Sequence, residues 1–254
     1  MNASQSEATR VRLDEALVSR GLYDSRSRAR DAIERGTVTV DGRVALKPGQ
    51  AVSPQASVAV DDPARNYVSR AALKLIAGLD YFGFDPAGCR ALDIGASTGG
   101  FTQVLLERGA ADVTAIDVGH GQMDAGLRSD PRVTVIEGLN ARDLTADTFP
   151  GGLPDFLVCD VSFISLRLAL PPALELALHG ARGIFLVKPQ FEAGRDAIGK
   201  GGVLREAADG LRIAEERRDW LDGFAGWRAV GLVPSPIVGG DGNQEFLLAG
   251  VKDR

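Results

Sequence analysis

Residues 91–106 read ALDIGASTGGFTQVLL: a short apolar run containing Asp93, a loop of glycine and hydroxyl residues, then a second apolar run. A strand ending near Ile94, a turn through Gly95 to Gly100 and a helix beyond it form the pattern used where a ligand must approach the backbone closely. The loop departs from G-x-G-x-x-G, because Ser97 stands where the second glycine would lie. A pyrophosphate needs that glycine, whereas a donor without phosphates does not. Asp117, at the end of the next apolar run, can bond both hydroxyls of a ribose and suits either kind of ligand. Asp93 stands just ahead of the loop, where its carboxylate can orient an ammonium group directly or through water. Alone, the stretch leaves three readings open: a dinucleotide cradle, a methyl-donor cradle, or a tight turn that binds nothing.

Working outward, apolar runs at 91–94, 113–117, 133–137, 156–160 and 183–187 alternate with helical spacing near 69–82, 100–108, 165–178 and 205–222. Near-continuous apolar strands separated by helices indicate an α/β fold with a mostly parallel sheet covered on both faces. Two later runs, around 227–233 and 245–250, are joined by a loop rich in proline and glycine, which permits an antiparallel pair at the sheet edge. Ligands of such sheets gather at the carboxyl ends of the strands, where the chain order reverses. Asp160 falls just past the fourth run, Lys188 just past the fifth, and Glu245 at the start of the last. Lys74 is the only lysine of the helix at 69–82. Charges that end buried apolar runs are unfavourable there unless paired or functional.

At 254 residues the chain has room for one large domain, or for a medium domain with a small one. Hydrophobic residues make up 44% and charged residues 25%, enough for a full core, so disorder is expected only at residues 1–10. The net charge of -5 excludes a chain-wide attraction to nucleic acid and leaves only a local basic face. Cys89 and Cys159 lie far apart in apolar stretches, without a CxxC pair, and the histidines are His120 and His179. Reduced thiols are expected, and no metal site. Nothing resembles a secretory signal or the roughly 18 apolar residues that cross a bilayer, which points to the cytoplasm.

The basic face has a place. Residues 10–47 hold nine Arg or Lys against six Asp or Glu. Leu13, Ala16 and Leu17 have helical spacing. The stretch YDSRSRARDAIERG supplies Asp24 or Ser25 as N-cap, Ala29 and Ile33 as an apolar stripe, and Gly36 as the stop. Arg26 and Arg30, four apart, project from one face. TVTVDGRVAL then reads as a hairpin turning at Asp41-Gly42.

The order of LDEALVSRGLYDSRSRARDAIERGTVTVDGRV resembles the small RNA-binding domain named after ribosomal protein S-four. The resemblance implies binding of structured RNA, with Arg12, Arg26, Arg28, Arg30 and Arg35 as contacts; guanidinium forks suit phosphates and the shallow groove of A-form helices. Farther along, the Lys-Asp-Lys-Glu order resembles the ribose 2'-O-methyltransferases of the FtsJ type. With YVSRAALKL, LDIGASTGGFTQVLLERGA, DVSFISL, LVKPQFE and GGVL, the chain resembles the TlyA family of ribosomal RNA methyltransferases over nearly its whole length, although Tyr67 stands where relatives often carry Trp.

What this resemblance implies is a Rossmann-like methyltransferase sheet with a small N-terminal α+β RNA-binding domain: a tail at 1–10, an S-four-like domain at 11–62, a linker at 63–68 and an FtsJ-like domain at 69–254. The implied reaction is methylation of a cytidine 2'-hydroxyl in ribosomal RNA or ribosomal subunits, with Lys74, Asp160, Lys188 and Glu245 as the catalytic tetrad. The implied donor is S-adenosylmethionine, held by Asp93, Gly95, Ala96, Ser97, Thr98, Gly99, Phe101, Asp117, Val118, Asn140 and Asp160. His120 and the GKGGVL stretch are secondary candidates, for a donor contact and for a loop closing over the acceptor.

The chemistry asks for these residue types independently. A sulfonium methyl is already activated, so the enzyme must align the acceptor oxygen and manage its proton. A lysine at the acceptor can take that proton if neutral, or stabilise the developing alkoxide if charged. Three other functions compete. A nicotinamide-dependent dehydrogenase shares the strand, loop and Asp117 but has the wrong glycine spacing. A haemolysin, a label some family members carry, needs a membrane segment that ISLRLALPPALELALHG, with Arg167, Glu175 and two prolines, does not supply. An RNA-binding module on an inactive fold would not need all four charged residues.

Overall fold

The computed structural model describes residues 10–240 and 242–254. The tail expected at 1–10 lies outside the described residues except for Arg10. The chain divides into two compact units, Met1–Asn66 and Tyr67–Arg254.

In the first unit, β1 (Val11–Arg12) runs into α1 (Leu13–Ser19), followed by α2 (Arg26–Glu34), β2 (Val38–Val40), β3 (Arg43–Val44), β4 (Ala51–Val52) and β5 (Val58–Val60). Ser25 caps α2 by accepting from the Arg28 amide at 3.4 Å. Gly36, at φ +75°, takes the left-handed turn that ends the helix. The hairpin between β2 and β3 turns at Asp41 and Gly42, both at positive φ, as a two-residue turn matched to strand twist requires. β5 pairs with the other edge of β2, and β1 pairs with β4. Leu13, Leu17, Ile33 and Val38 are fully buried and form the centre of this small core.

The second unit contains α3 (Ala72–Phe82), β6 (Arg90–Ile94), α4 (Gly100–Glu107), β7 (Asp112–Asp117), α5 (Ala125–Arg128), β8 (Val133–Glu137) and β9 (Phe156–Cys159). It continues with α6 (Leu166–Ala169), α7 (Pro171–Leu176), β10 (Arg182–Val187), α8 (Pro189–Glu192), α9 (Asp209–Asp222), β11 (Trp227–Pro234) and β12 (Phe246–Lys252). The sheet order is β11-β12-β10-β9-β6-β7-β8. The five strands from β6 to β10 run parallel, and β12 and β11 add antiparallel at one edge. Strand order proceeds one way from β6 through β7 to β8, then returns to place β9 on the other side of β6. The reversal therefore lies between β6 and β9, beside the GASTGG loop, where an open α/β sheet leaves its crevice.

Three expectations change in detail. The helix expected at 165–178 is two, because Pro171 has no amide hydrogen to continue the ladder and instead starts α7. The helix expected at 205–222 begins only at Asp209. The GKGGVL stretch forms a 3-10 turn at Lys200–Gly202, closed by a bridge between Ile198 and Leu204. Both cysteines are free thiols; Cys159 is buried, which raises its pKa to about 12, while Cys89 is only half-buried. Among the described residues no helix is long and apolar enough to cross a membrane.

Candidate active site

Side chains alternate between the two faces of the sheet. Ala91, Phe156, Val158, Ile184 and Leu186 pack with α3 and α4, whereas Leu92, Leu157, Cys159, Phe185 and Val187 pack with α6, α7 and α9. By that parity Asp93, Asp160 and Lys188 belong to the face covered by α3, the helix that carries Lys74. On β12 Leu247 joins the α3 face, so Glu245 shares it. Val187 pairs with Phe246 across the antiparallel ladder, which sets Lys188 opposite Glu245 one step further on. Residues separated by up to 171 positions thus meet at one edge of the crevice.

They meet as two ion pairs. Lys74 Nζ lies 2.5 Å from Glu245 Oε2, with side chains 8% and 3% exposed. Lys188 Nζ lies 2.6 Å from Asp160 Oδ1, with side chains 10% and 15% exposed. The second contact is off the hydrogen-bond axis: Asp160 Oδ1 accepts no aligned bond, and the ammonium instead donates to Ser162 Oγ at 2.9 Å. An ammonium has three donors, so Lys188 keeps a proton to direct elsewhere. Gly239 is needed beside this cluster, because a Cβ there would stand 2.7 Å from Glu245 Oε1.

Two adjoining cavities open at the carboxyl ends of β6, β7 and β9. The larger, about 500 Å³, has Asp117, Val118 and Asn140 in its wall; the smaller, about 170 Å³, has Thr98 and Lys188. Gly95, Ser97, Asp160 and Ser162 line both. A Cβ on Gly95 would stand 3.0 Å from the Asp160 carbonyl, so only glycine lets these loops approach. Ser97 adopts the left-handed region at φ +47°, held by its amide, which donates to Asp117 Oδ2 at 2.8 Å, and by its hydroxyl, which donates to Gln122 at 2.9 Å. The Gly119 amide donates to Asp117 Oδ1 at 2.7 Å. Asp117 is thereby fixed with lone pairs left for a diol.

The remaining expected donor residues divide. Ala96, Thr98 and Phe101 line the smaller cavity. Asp93 and Gly99 line neither. Asp93 is fully buried behind the loop, where its Oδ2 accepts from Thr102 Oγ1 at 2.6 Å and its Oδ1 has no partner. Burial raises its pKa to about 7 against the opposing Thr102 bond, with Asp160 and Asp117 adding to the rise. Gly99 is glycine for its backbone, at φ +98°, and for packing, since a Cβ there would overlap Leu127 and Met123. His120 stacks where Gly138 leaves room and lines neither cavity.

The five arginines of the first unit also divide. Arg12 and Arg26, each about half exposed, both hold the buried Asp14, at 3.0 and 3.1 Å. Arg28 donates to the Arg65 carbonyl at 2.9 Å and pairs with Asp24. Arg35, 15% exposed, makes a two-pronged contact to buried Asp62 at 2.8 and 3.0 Å and also bonds Asp31. Arg30 is exposed and without an ion pair among the described residues. The geometry therefore revises Arg35 from an outward contact to an internal tie. Arg35→Ala should leave Asp62 buried without a cation, held only by the Tyr23 hydroxyl and the Ala64 amide, and destabilise this unit by about 3 kcal/mol, whereas Arg30→Ala should leave its melting unchanged; thermal unfolding of the two variants checks both.

Nothing in the sequence singles out Ser162 or Gln122, because one hydroxyl or amide in a loop carries no spacing signal. The same is true of Phe163. That residue stands 88% exposed at φ +66°, beside Ser162 in the wall of the larger cavity, its ring 4.9 Å from that of Phe191. A bulky residue in that backbone region is strained, and such strain concentrates at sites of use.

The FtsJ-like methyltransferase family model matches residues 67–252, and the S4 domain model matches residues 11–58. A Mycobacterium tuberculosis protein named 16S/23S rRNA (cytidine-2'-O)-methyltransferase TlyA is 46% identical over 246 residues, covering 95% of this chain and 90% of that protein. Hemolysin A of Brachyspira hyodysenteriae is 38% identical, covering 93% and 98%. A solved chain from Streptococcus thermophilus whose description carries the hemolysin name superimposes with a TM-score of 0.74 at 38% identity, over 97% of this chain and 90% of that one. A chain with these matches and this crevice is a methyltransferase: it belongs to the TlyA family of FtsJ-like methyltransferases with an S4 domain ahead of the catalytic fold.

Proposed function

We propose that the chain methylates the 2'-hydroxyl of a cytidine in ribosomal RNA, in the cytoplasm, with S-adenosylmethionine as donor. Residues 11–62 grip the RNA and residues 69–254 perform the transfer. The observation that carries the reading is the Lys188 ammonium, held by Asp160 and Ser162 in the wall of a small polar cavity that adjoins a larger one able to take a nucleoside. The relatives named for cytidine 2'-O-methylation of ribosomal RNA supply the acceptor.

The donor fits the residues present. The larger cavity falls within the range of small-molecule sites, Asp117 faces it with spare lone pairs, Val118 is 64% exposed at its rim, and Asn140 offers its amide. The donor, when bound, supplies a methyl group already activated by a sulfonium charge. Asp93, whose Oδ1 has no partner and whose pKa burial raises to about 7, puts a negative charge behind the loop when it ionises, which a cationic donor would favour. Lys188 contacts the acceptor oxygen, and Asp160 and Ser162 hold its ammonium in place. The Lys74–Glu245 ion pair, neutral overall, sets a fixed dipole in the same cluster. Phe163 offers a bare ring face to the acceptor base. Arg30, with the outer edges of Arg12 and Arg26, meets RNA phosphates, while Arg28 and Arg35 shape the unit from within.

The reading is tested by incubating the purified chain with isotopically labelled donor and ribosomal RNA or subunits, then digesting to nucleosides. Label in 2'-O-methylcytidine is expected. Label in a base, or none with either RNA form, refutes it.

A further inference from the structure

Glu192 lies four residues past Lys188, at the end of the short helix α8, with its side chain only 2% exposed. Its Oε2 accepts from Ser165 Oγ at 2.5 Å and its Oε1 accepts from the Leu166 amide at 2.7 Å. Arg217 of α9, itself buried, approaches Oε2 at 3.6 Å. Ser165 and Leu166 form the start of α6, reached directly from Asp160, Ser162 and Phe163. The covalent and non-covalent links close a ring: Lys188 to Glu192 through one helical turn, Glu192 to Ser165 by hydrogen bond, Ser165 back to Ser162 and Asp160 through the loop, and these two to Lys188. The Phe163 and Phe191 rings, 4.9 Å apart, span the same gap a second time.

Lys188 and its two partners come from different loops; strand register ends at Cys159 and Val187, and past it the Asp160 amide still donates to the Ile94 carbonyl at 2.9 Å, which holds that backbone but neither the Asp160 carboxyl group nor Ser162. A buried carboxylate with both oxygens engaged is a stiff link, since losing either bond leaves a desolvated acceptor. We infer that Glu192 is a positioning residue for methyl transfer, acting through the Ser165–Leu166 helix start to hold Asp160 and Ser162 against Lys188. It touches neither cavity, so it works on geometry and not on ligand affinity. Misplacement of a reacting group by about 1 Å can lower a rate by about 10²-fold.

The inference rests on the methyl-transfer reading, and the experiment separates the two. Wild type, Glu192→Ala and Glu192→Gln are compared for donor affinity by calorimetry, for KM toward RNA, and for kcat with saturating donor. Glu192→Ala should lose about 10²-fold in kcat with donor affinity and KM within about threefold. Glu192→Gln, which keeps one acceptor for the Leu166 amide, should recover about tenfold. If Glu192→Ala does not fold, Ser165→Ala and Ser165→Thr decide: Ala should lower kcat about tenfold and Thr, which restores the hydroxyl, should rescue it. Unchanged kcat in a folded Glu192→Ala, losses confined to KM or donor affinity, or absence of rescue by Thr overturns the positioning role. No transfer by wild type overturns the functional reading itself.

Discussion

Lys188→Ala is expected to lower methyl transfer by at least about 10³-fold while leaving donor affinity within about threefold. The expectation follows from where Lys188 sits. It lines only the smaller cavity, whereas Asp117, Val118 and Asn140 line the larger one. Under the proposed function, removing the ammonium leaves the donor's wall intact and deletes the group facing the acceptor oxygen, and positioned proton management or charge stabilisation contributes about 10²- to 10⁴-fold. Lys188→Arg should fail as well, because a guanidinium gives up no proton and its planar fork replaces the compact ammonium that contacts Asp160 and Ser162. Substantial turnover in the Arg variant would limit Lys188 to a purely electrostatic part. Single-turnover kinetics on preformed donor complexes, with calorimetry alongside, measures both quantities.

Asp93→Asn is expected to stabilise the free protein at pH 8 and weaken donor binding. Burial moves the Asp93 carboxyl from 3.8 to about 7 in the folded protein. A folded pKa above the unfolded one means that stability is fully present below about pH 4, falls as pH rises, and levels off above about pH 7. A shift of roughly three units corresponds to at most about 4 kcal/mol at pH 8. Asn carries no charge, so the variant escapes that loss. It should melt several degrees higher than wild type at pH 8 and by only about a quarter of that margin at pH 4.5, where wild type has lost about 1 kcal/mol. The same change removes the charge that favours a cationic donor, and affinity should fall about tenfold or more. Calorimetric unfolding at the two pH values gives the first result, and titration with S-adenosylmethionine the second. A melting difference independent of pH would contradict the buried-charge account.

These two residues also show how much could be read in advance. Lys188 and Asp160 were legible because each ends an apolar run, Glu245 because it starts one, and the carboxyl ends of parallel strands meet the amino end of an antiparallel strand at the same sheet edge. Their grouping into Lys74–Glu245 and Lys188–Asp160 was not, since pairing depends on the antiparallel insertion of β12 beside β10. Asp93 was legible as an acid ahead of a glycine loop, but its depth was not, because it shares the parity of Asp160 and Lys188 and is buried by α4, whose Thr102 closes over it. Gly99 looked like part of the cradle. Its reason lies in a left-handed backbone at φ +98° and in Met123 and Leu127, more than twenty residues away. Arg35 shows the same limit: a charge run reads as a solvated face, and only the fold reveals Asp62 waiting 27 residues on. Ser162 and Glu192 belong to residue types too common in loops and short helices to stand out without coordinates.

The central claim is that the Lys188 cluster delivers methyl groups to ribose in ribosomal RNA. Mass-spectrometric mapping of ribosomal RNA from cells carrying the wild-type gene or the Lys188→Ala variant tests it most directly. One or more cytidines should carry a 2'-O-methyl group in the first strain and none in the second, with the rest of the modification map unchanged. Identical maps in the two strains, or a methyl lost from a base instead of a ribose, would contradict the account.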